Sequence, residues 1–337
     1  MKNHTIVLDH GSGGLLSHEL TEKIMLPAFD NPVLSRLDDS AVIESQKGRM
    51  AFSTDSFVVD PLFFPGGNIG DLAVNGTVND IAMSGAVPLY LSAGLIIEEG
   101  FAIRDLETII ASMAAAARQA GVSIVAGDTK VVPRGAADKL FINTSGVGWI
   151  AGDLEINAAN ARAGDCVLLS GTMADHGMTI LNQREGLAFD ADVKSDSAAL
   201  NGLVARMLSA APDGIRVLRD PTRGGVATAL NEIALASGTG IQINESSLPV
   251  RKSVSGLCEL LGIDPLYAAN EGKLIAIVDS ACADAVLAAL RQDPLGADAC
   301  IIGQATADHP GRVVMETAIG GRRIVDMLTG GQLPRIC

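Results

Sequence analysis

Short apolar runs at 5–8, 41–44, 50–54, 89–97, 123–126 and 140–150 alternate with stretches of helical period through the first half of the chain. That alternation predicts a mixed α/β domain. In 15–26, Leu16, Leu20 and Ile24 share one helical face. In 103–120, Leu106, Ile110 and Met113 do the same among alanines, and Gly121 stands where a C-cap belongs. The stretch GDLEINAANARAGD at 152–165 is polar, small and turn-rich ahead of a fresh strand at 166–169, so a domain boundary is placed there. Alternation then resumes. Helices are expected near 223–237 and 281–291 and around Leu257, Leu260 and Leu261, with strands near 274–278 and 312–316. After Leu328 the periodicity stops, and TGGQLPRIC has nothing to pack with. The reading is a domain at 1–152, a second at 153–327 and a mobile tail at 328–337.

Composition narrows the function. Of 337 residues 48% are hydrophobic and 19% charged, too apolar for disorder, while no uncharged apolar run is long enough to span a membrane. Aromatics are 3% and glycines number 37, so small and branched side chains must build the cores, and stacking platforms for bases are disfavoured. Lys plus Arg total 25 against 39 Asp plus Glu, a net charge of -14 that repels nucleic-acid backbones. An anionic small ligand must then be held locally, by backbone N–H groups, a few cations or a metal. The start MKNHTIVLDHG lacks the apolar core of a secretory signal, and the five cysteines have no C-x-x-C spacing. Reduced thiols in the cytoplasm are expected. Four of them sit in apolar stretches and read as core residues; Cys337 is the last residue.

No P-loop pattern occurs, and the segment Gly146–Ala151, although rich in glycine, reads as a turn. HGSGG at 10–14 (His10, Gly11, Gly13, Gly14) precedes a helix, where glycines let amides converge on an anion. Asp38 and Asp39 lie before a strand in LDDSAVI, Asp55 ends one in STDSF, and Asp80 lies in VNDIAMSG. Carboxylates collected in this way suit Mg²⁺ completed by phosphate oxygens. Asn75 and Asn79 are supporting polar groups or helix-surface residues. AGDTK presents Asp128, Thr129 and Lys130 where a strand gives way to a turn, and RDPTRGG sets Asp220 and Arg223 ahead of a helix. Glu271 enters a strand in NEGKLIAIV, ordinarily a solvated position. His10, His18, His176 and His309 lack ligand spacing and read mostly as surface or turn residues.

Taken together, HGSGG, LDDSAVI, STDSF, NGTVNDIAMSGAVP, GDTK and DPTRGG resemble the superfamily of aminoimidazole-ribonucleotide synthetases, selenophosphate synthetases and thiamine-monophosphate kinases. Selenophosphate synthetases carry a reactive Cys or selenocysteine in the glycine-rich segment, where HGSGG has none. The terminal PRIC is similar to the HypE family of carbamoyl dehydratases. The resemblance implies a PurM-like two-domain α/β fold, its first sheet forming a barrel in a homodimer, with ATP and Mg²⁺ bound. It implies ATP-dependent dehydration of an S-carboxamide on Cys337 to a thiocyanate, the source of cyanide for [NiFe] hydrogenase. Gly330 and Gly331 would act as a hinge and Pro334 would limit the tail's freedom. Asp39, Asp80 and Asp220 would hold metal. His10, Gly11, Gly13, Gly14, Asp38, Asp55, Asn75, Asp128, Thr129 and Arg223 would hold the nucleotide. Lys130 would stabilise charge on the amide oxygen or act through the γ-phosphate, and Glu271 would be the base. Implied partners are the carbamoyltransferase HypF and the HypC–HypD iron scaffold, with neither nucleic acid nor membrane. The alternatives are a small-molecule kinase, indifferent to the tail, and a non-catalytic carrier of the carbamoyl group.

Overall fold

The computed structural model describes residues 4–12, 14–37, 40–44, 46–186, 193–328 and 335–337. The first half contains α1 (Leu15–Leu20), α2 (Leu26–Phe29), β1 (Arg49–Phe57), the two-residue strands β2 (Phe63–Phe64) and β3 (Gly67–Asn68), α3 (Ile69–Met83), β4 (Val87–Glu98), α4 (Ile103–Ala120), β5 (Ser123–Val132) and β6 (Leu140–Ile150). Its sheet runs β1-β6-β4-β5, antiparallel except for the β4/β5 pair. α3 lies on one face of it. Asn68 caps α3 by accepting from Gly70 N–H, and Gly121 ends α4 at φ 71°, as its sequence position predicts.

Several expectations change. Residues 5–8 form no strand: Thr5 makes a single bridge to Ala102 and a 3₁₀ turn covers Leu8–Gly11. Residues 41–44 have no regular structure, and Val42 and Ile43 stay exposed. The helix expected over 15–26 opens into a π turn at Thr21–Met25 just before Pro27, which lacks the N–H needed to continue an α-helical ladder. Gly146 and Gly148 lie inside β6 rather than in a turn. A Cβ on Gly146 would overlap Leu91 and Ile81, so these glycines let α3 settle onto the sheet. β5 continues through Asp128–Lys130, because register with β4 (Gly94 with Asp128, Ile96 with Lys130) extends the ladder past the polar residues.

The second half contains β7 (Cys166–Leu169), α5 (Asp175–Glu185), α6 (Asn201–Ala210), β8 (Ile215–Arg219), α7 (Gly225–Ser237), β9 (Gly240–Asn244), α8 (Lys252–Leu261), β10 (Ile275–Val278), α9 (Ala283–Arg291), β11 (Cys300–Thr306), β12 (Val313–Glu316) and β13 (Arg322–Val325). They form a sheet ordered β13-β12-β9-β11-β7-β10-β8. β10 is buried on both faces: Ile275 and Ile277 pack into one apolar cluster and Ala276 and Val278 into another. Of the four internal cysteines only Cys258 is fully buried; Cys166, Cys282 and Cys300 are half-buried, and all are free. Among the described residues no helix is long and apolar enough to cross a membrane.

Candidate active site

Asp80 and Asp220 line a cleft of about 800 Å³ where the two halves face each other, and Asp55 is near enough for its charge to act on Asp220. Asp55 projects from β1. Asp80 does not stand at a strand edge but lies on α3, where it accepts a 2.7 Å hydrogen bond from Ser53 Oγ. Asp220 follows β8, and the chain then turns through Gly224 (φ 78°) and Gly225 (φ 60°) into α7. A Cβ on Gly225 would lie 2.5 Å from the Leu266 carbonyl oxygen, so only glycine lets the turn close. Burial raises Asp55, with Asp80 adding to it, and burial likewise raises Asp80. Burial first, then the Asp80 charge, pushes Asp220 up to about 7. Crowded carboxylates of this kind are what a divalent cation relieves. Among the described residues no group of three or more His, Cys, Asp or Glu side chains could hold an ion unaided. Asp80 and Asp220 would suit Mg²⁺ only together with phosphate oxygens, since that ion favours few carboxylates completed by phosphate. Asp38, Asp39 and Gly13 lie outside the described residues.

Glu271 is not solvated. It is 3% exposed, its Oε1 is buried without a hydrogen-bond partner, and burial followed by Asp220 and Asp196 raises its pKa well above the ordinary value. Its backbone is clamped: Asp196 accepts from the N–H groups of Glu271 and Gly272, each at 3.2 Å, and from Lys273 Nζ at 3.1 Å. Burial alone would raise Asp196, but Lys273 leads the opposing influences and the carboxyl is held below its ordinary value. Asn79 donates to the Glu271 carbonyl at 3.2 Å, and Asn75 to Ser197 Oγ at 3.1 Å; both asparagines are buried rather than on the helix surface.

The end of the chain, which the sequence pattern leaves unpartnered, is docked at this centre. Val58 N–H donates to an α-carboxylate oxygen of Cys337 at 3.0 Å and Asp60 N–H to the Arg335 carbonyl at 3.3 Å, while Arg335 pairs with Asp138 and donates from Nε to the Val58 carbonyl. Ile336, 3% exposed, joins the apolar core of the first half. Backbone pairing and one anchoring isoleucine replace the periodic packing that sequence reading looks for. Gly330, Gly331 and Pro334 lie outside the described residues. The Cys337 thiol is pushed up to about 12, by burial first and then by Glu271; Arg223 opposes and Asp55 adds.

A second group forms elsewhere. His10, Gly11, Asp128, Thr129 and Lys130 line a cavity of about 270 Å³ walled by Leu20, Leu95 and Ile124. His10 is buried rather than at the surface: Nδ1 accepts Val7 N–H at 2.9 Å, so the proton resides on Nε2, which is buried with no partner. Gly11 packs directly against the Val131 backbone, which explains that glycine without an anion. Gly14 caps the short α1. Lys130 is exposed and pairs with Asp128 at 2.9 Å. Within one chain the structure thus groups Asp55, Asp80, Asp220, Arg223, Glu271 and Cys337, and separately His10, Gly11, Asp128, Thr129 and Lys130. Of the remaining histidines, His176 is buried, while His18 and His309 are exposed. Sequence reading missed Asp196 and Ser195 and misjudged His176. KSDSAA carries no signal for these roles, because their partners are distant in the chain.

The N-terminal domain of AIR synthase related proteins matches residues 37–150 and the C-terminal domain of the same family matches 162–316. "Carbamoyl dehydratase HypE" of Bradyrhizobium diazoefficiens is 56% identical over 337 residues, covering 100% of this chain and 97% of the relative. A crystal structure of the hydrogenase maturation protein HypE in complex with ATP superposes with a TM-score of 0.95 at 55% identity, covering 99% of this chain and 100% of that one. A chain from a HypE–HypF complex superposes with a TM-score of 0.81 at 49% identity, over 92% and 99% of the two chains.

Proposed function

The chain belongs to the HypE family of AIR synthase related proteins, and from that premise we propose that it dehydrates a carboxamide carried on its own Cys337 to a thiocyanate, at the expense of ATP. One observation carries the reading: a docked terminal thiol beside Glu271, whose buried carboxyl oxygen has no partner.

Dehydrating R–S–C(=O)NH₂ removes the amide oxygen and both N–H protons. Transfer of the γ-phosphoryl group of ATP to the amide oxygen makes that oxygen a leaving group. It departs in inorganic phosphate as the C≡N bond forms, leaving R–S–C≡N and ADP. Mg²⁺ held by Asp80 and Asp220, together with Asp39, would neutralise triphosphate charge. Glu271, whose buried carboxyl is held above its ordinary pKa by burial and then by Asp220, would accept an N–H proton as the base. Arg223 lines the same cleft, and it would contact the nucleotide together with Asp55 and Asn75. His10 offers its Nε2–H donor to the nucleotide from the second cavity, beside Asp128 and Thr129.

Lys130 lies away from Glu271 within one chain, so its part on the amide oxygen or γ-phosphate requires a second copy. Exposed Met50, Phe52, Val87 and Ile96 on the outer face of the first sheet support that homodimer. The solved HypE–HypF complex supports HypF as the partner that loads Cys337, and the HypC–HypD scaffold would accept the cyanide. The separation of the four-stranded sheet from the seven-stranded one supports a division into 1–152, 153–327 and a tail. Free cysteines favour a cytoplasmic setting.

The test is phosphate release from ATP by the full-length protein with and without the carboxamide on Cys337. Release that depends on the loaded thiol supports a dehydratase. Release that ignores it indicates a small-molecule kinase, and no release at all indicates a carrier.

A further inference from the structure

The docked tail and the candidate base are gripped by neighbours in sequence. The carbonyl of Ile336 can only accept, so His176 Nε2, 2.9 Å away, carries the proton of that contact. His176 Nδ1 then accepts from Ser195 Oγ at 2.8 Å, and Ser195 Oγ itself accepts Ser197 N–H at 3.1 Å. The ring is fully buried and its orientation is fixed by the perpendicular ring of Phe64, centroids 5.6 Å apart. One residue along, Asp196 accepts the backbone N–H groups of Glu271 and Gly272. Two residues further, the Ala198 carbonyl accepts from Asn79, which also donates to the Glu271 carbonyl. Arg184 completes the grip, donating to the Arg335 carbonyl at 2.7 Å and to that of Asp60.

We propose that residues 195–198 are a register element that sets the Cys337 sulfur against Glu271, with Ser195 acting through His176 on the tail and Asp196 acting on the backbone of the base. This rests on the dehydratase reading. The tail is held here through main-chain carbonyls, so the docked position is defined without any contact to the sulfur, which stays free to carry a group. Ser195 also selects the His176 tautomer. Without its hydroxyl, Nδ1 loses a donor, the alternative tautomer becomes accessible, and its bare Nε2 would face the Ile336 carbonyl lone pairs. Ser195, His176 and Asp196 are positioning residues and touch no reacting atom.

Iodoacetamide labelling of Cys337 at neutral pH, followed on the terminal peptide of the full-length protein without substrates, reads the latch independently of catalysis. Ser195→Ala and His176→Leu are expected to label several-fold faster than the parent. His176→Gln, whose amide still donates to Ile336, is expected to recover most of the protection. Single-turnover dehydration of the carboxamide on Cys337 should fall roughly tenfold or more in Ser195→Ala and Asp196→Asn at unchanged KM for ATP, as displaced reacting groups require. Parental labelling rates in both Ser195→Ala and His176→Leu would overturn the latch, and parental turnover in Asp196→Asn would overturn its hold on the base. A parent protein that never converts the carboxamide would instead sink the dehydratase reading, while the labelling rates still decide the latch.

Discussion

After burial, the charge of Glu271 is the strongest influence keeping the Cys337 thiol protonated, with its pKa pushed up to about 12. The docked tail therefore prefers a neutral sulfur. With its pKa raised, the thiol's share of docking is complete below the ordinary value of 9.0 and is lost as pH climbs towards about 12. Hydrogen exchange at the N–H groups of Val58 and Asp60, which hold the tail, should lose its protection across that alkaline window, after correction for intrinsic exchange. Protection unchanged through the window would contradict the docked geometry.

Asp80 and Asp220 repel each other across the cleft. Because the Asp220 pKa is raised from 3.8 to about 7, its stabilising share is complete below the lower value and gone above the higher one. Asp80→Asn should therefore stabilise the metal-free protein at pH 8 by on the order of 1 kcal/mol while weakening Mg-ATP binding about tenfold or more. Thermal melts and calorimetry read the two effects. A variant that binds Mg-ATP like the parent removes Asp80 from the site.

Glu271→Gln keeps the size and burial of the side chain but removes the base. The expected outcome is a folded protein that still binds ATP, accepts the carbamoyl group and turns over about 10²–10⁴-fold more slowly. Carboxamide then accumulates on Cys337, visible by mass spectrometry. Normal conversion in this variant would exclude Glu271 as the base.

The elements that sequence reading located are those whose cause is local. α4 shows a helical stripe and a terminal glycine, β6 alternates buried with less buried positions, and β10 is a continuous apolar run. The aspartates were visible because each sits beside an apolar element. What was hidden depends on distant partners. Glu271 looks like a solvated strand entry until Asp196 and Asn79 bury it from segments remote in sequence. The tail looks loose because backbone pairing with Val58–Asp60 leaves no periodicity to read. Residues 41–44, conversely, form an apolar run as a strand would but join no ladder.

Packing of α3 on its sheet gives a prediction independent of catalysis. The missing side chain at Gly146 is occupied by Leu91 and Ile81, so Gly146→Val should cost about 1–3 kcal/mol by overpacking. Urea unfolding measures it. Parental stability would show that the close approach of α3 to β6 is not what the glycine provides.

The most direct test of the central claim is the mass of the C-terminal peptide after full-length protein is incubated with HypF, carbamoyl phosphate and ATP. The account predicts that the peptide first gains a carbamoyl group on Cys337 and then loses the mass of one water, and that neither change occurs in Cys337→Ala. A peptide that keeps the carboxamide indefinitely in the presence of ATP, or is never loaded, would contradict it.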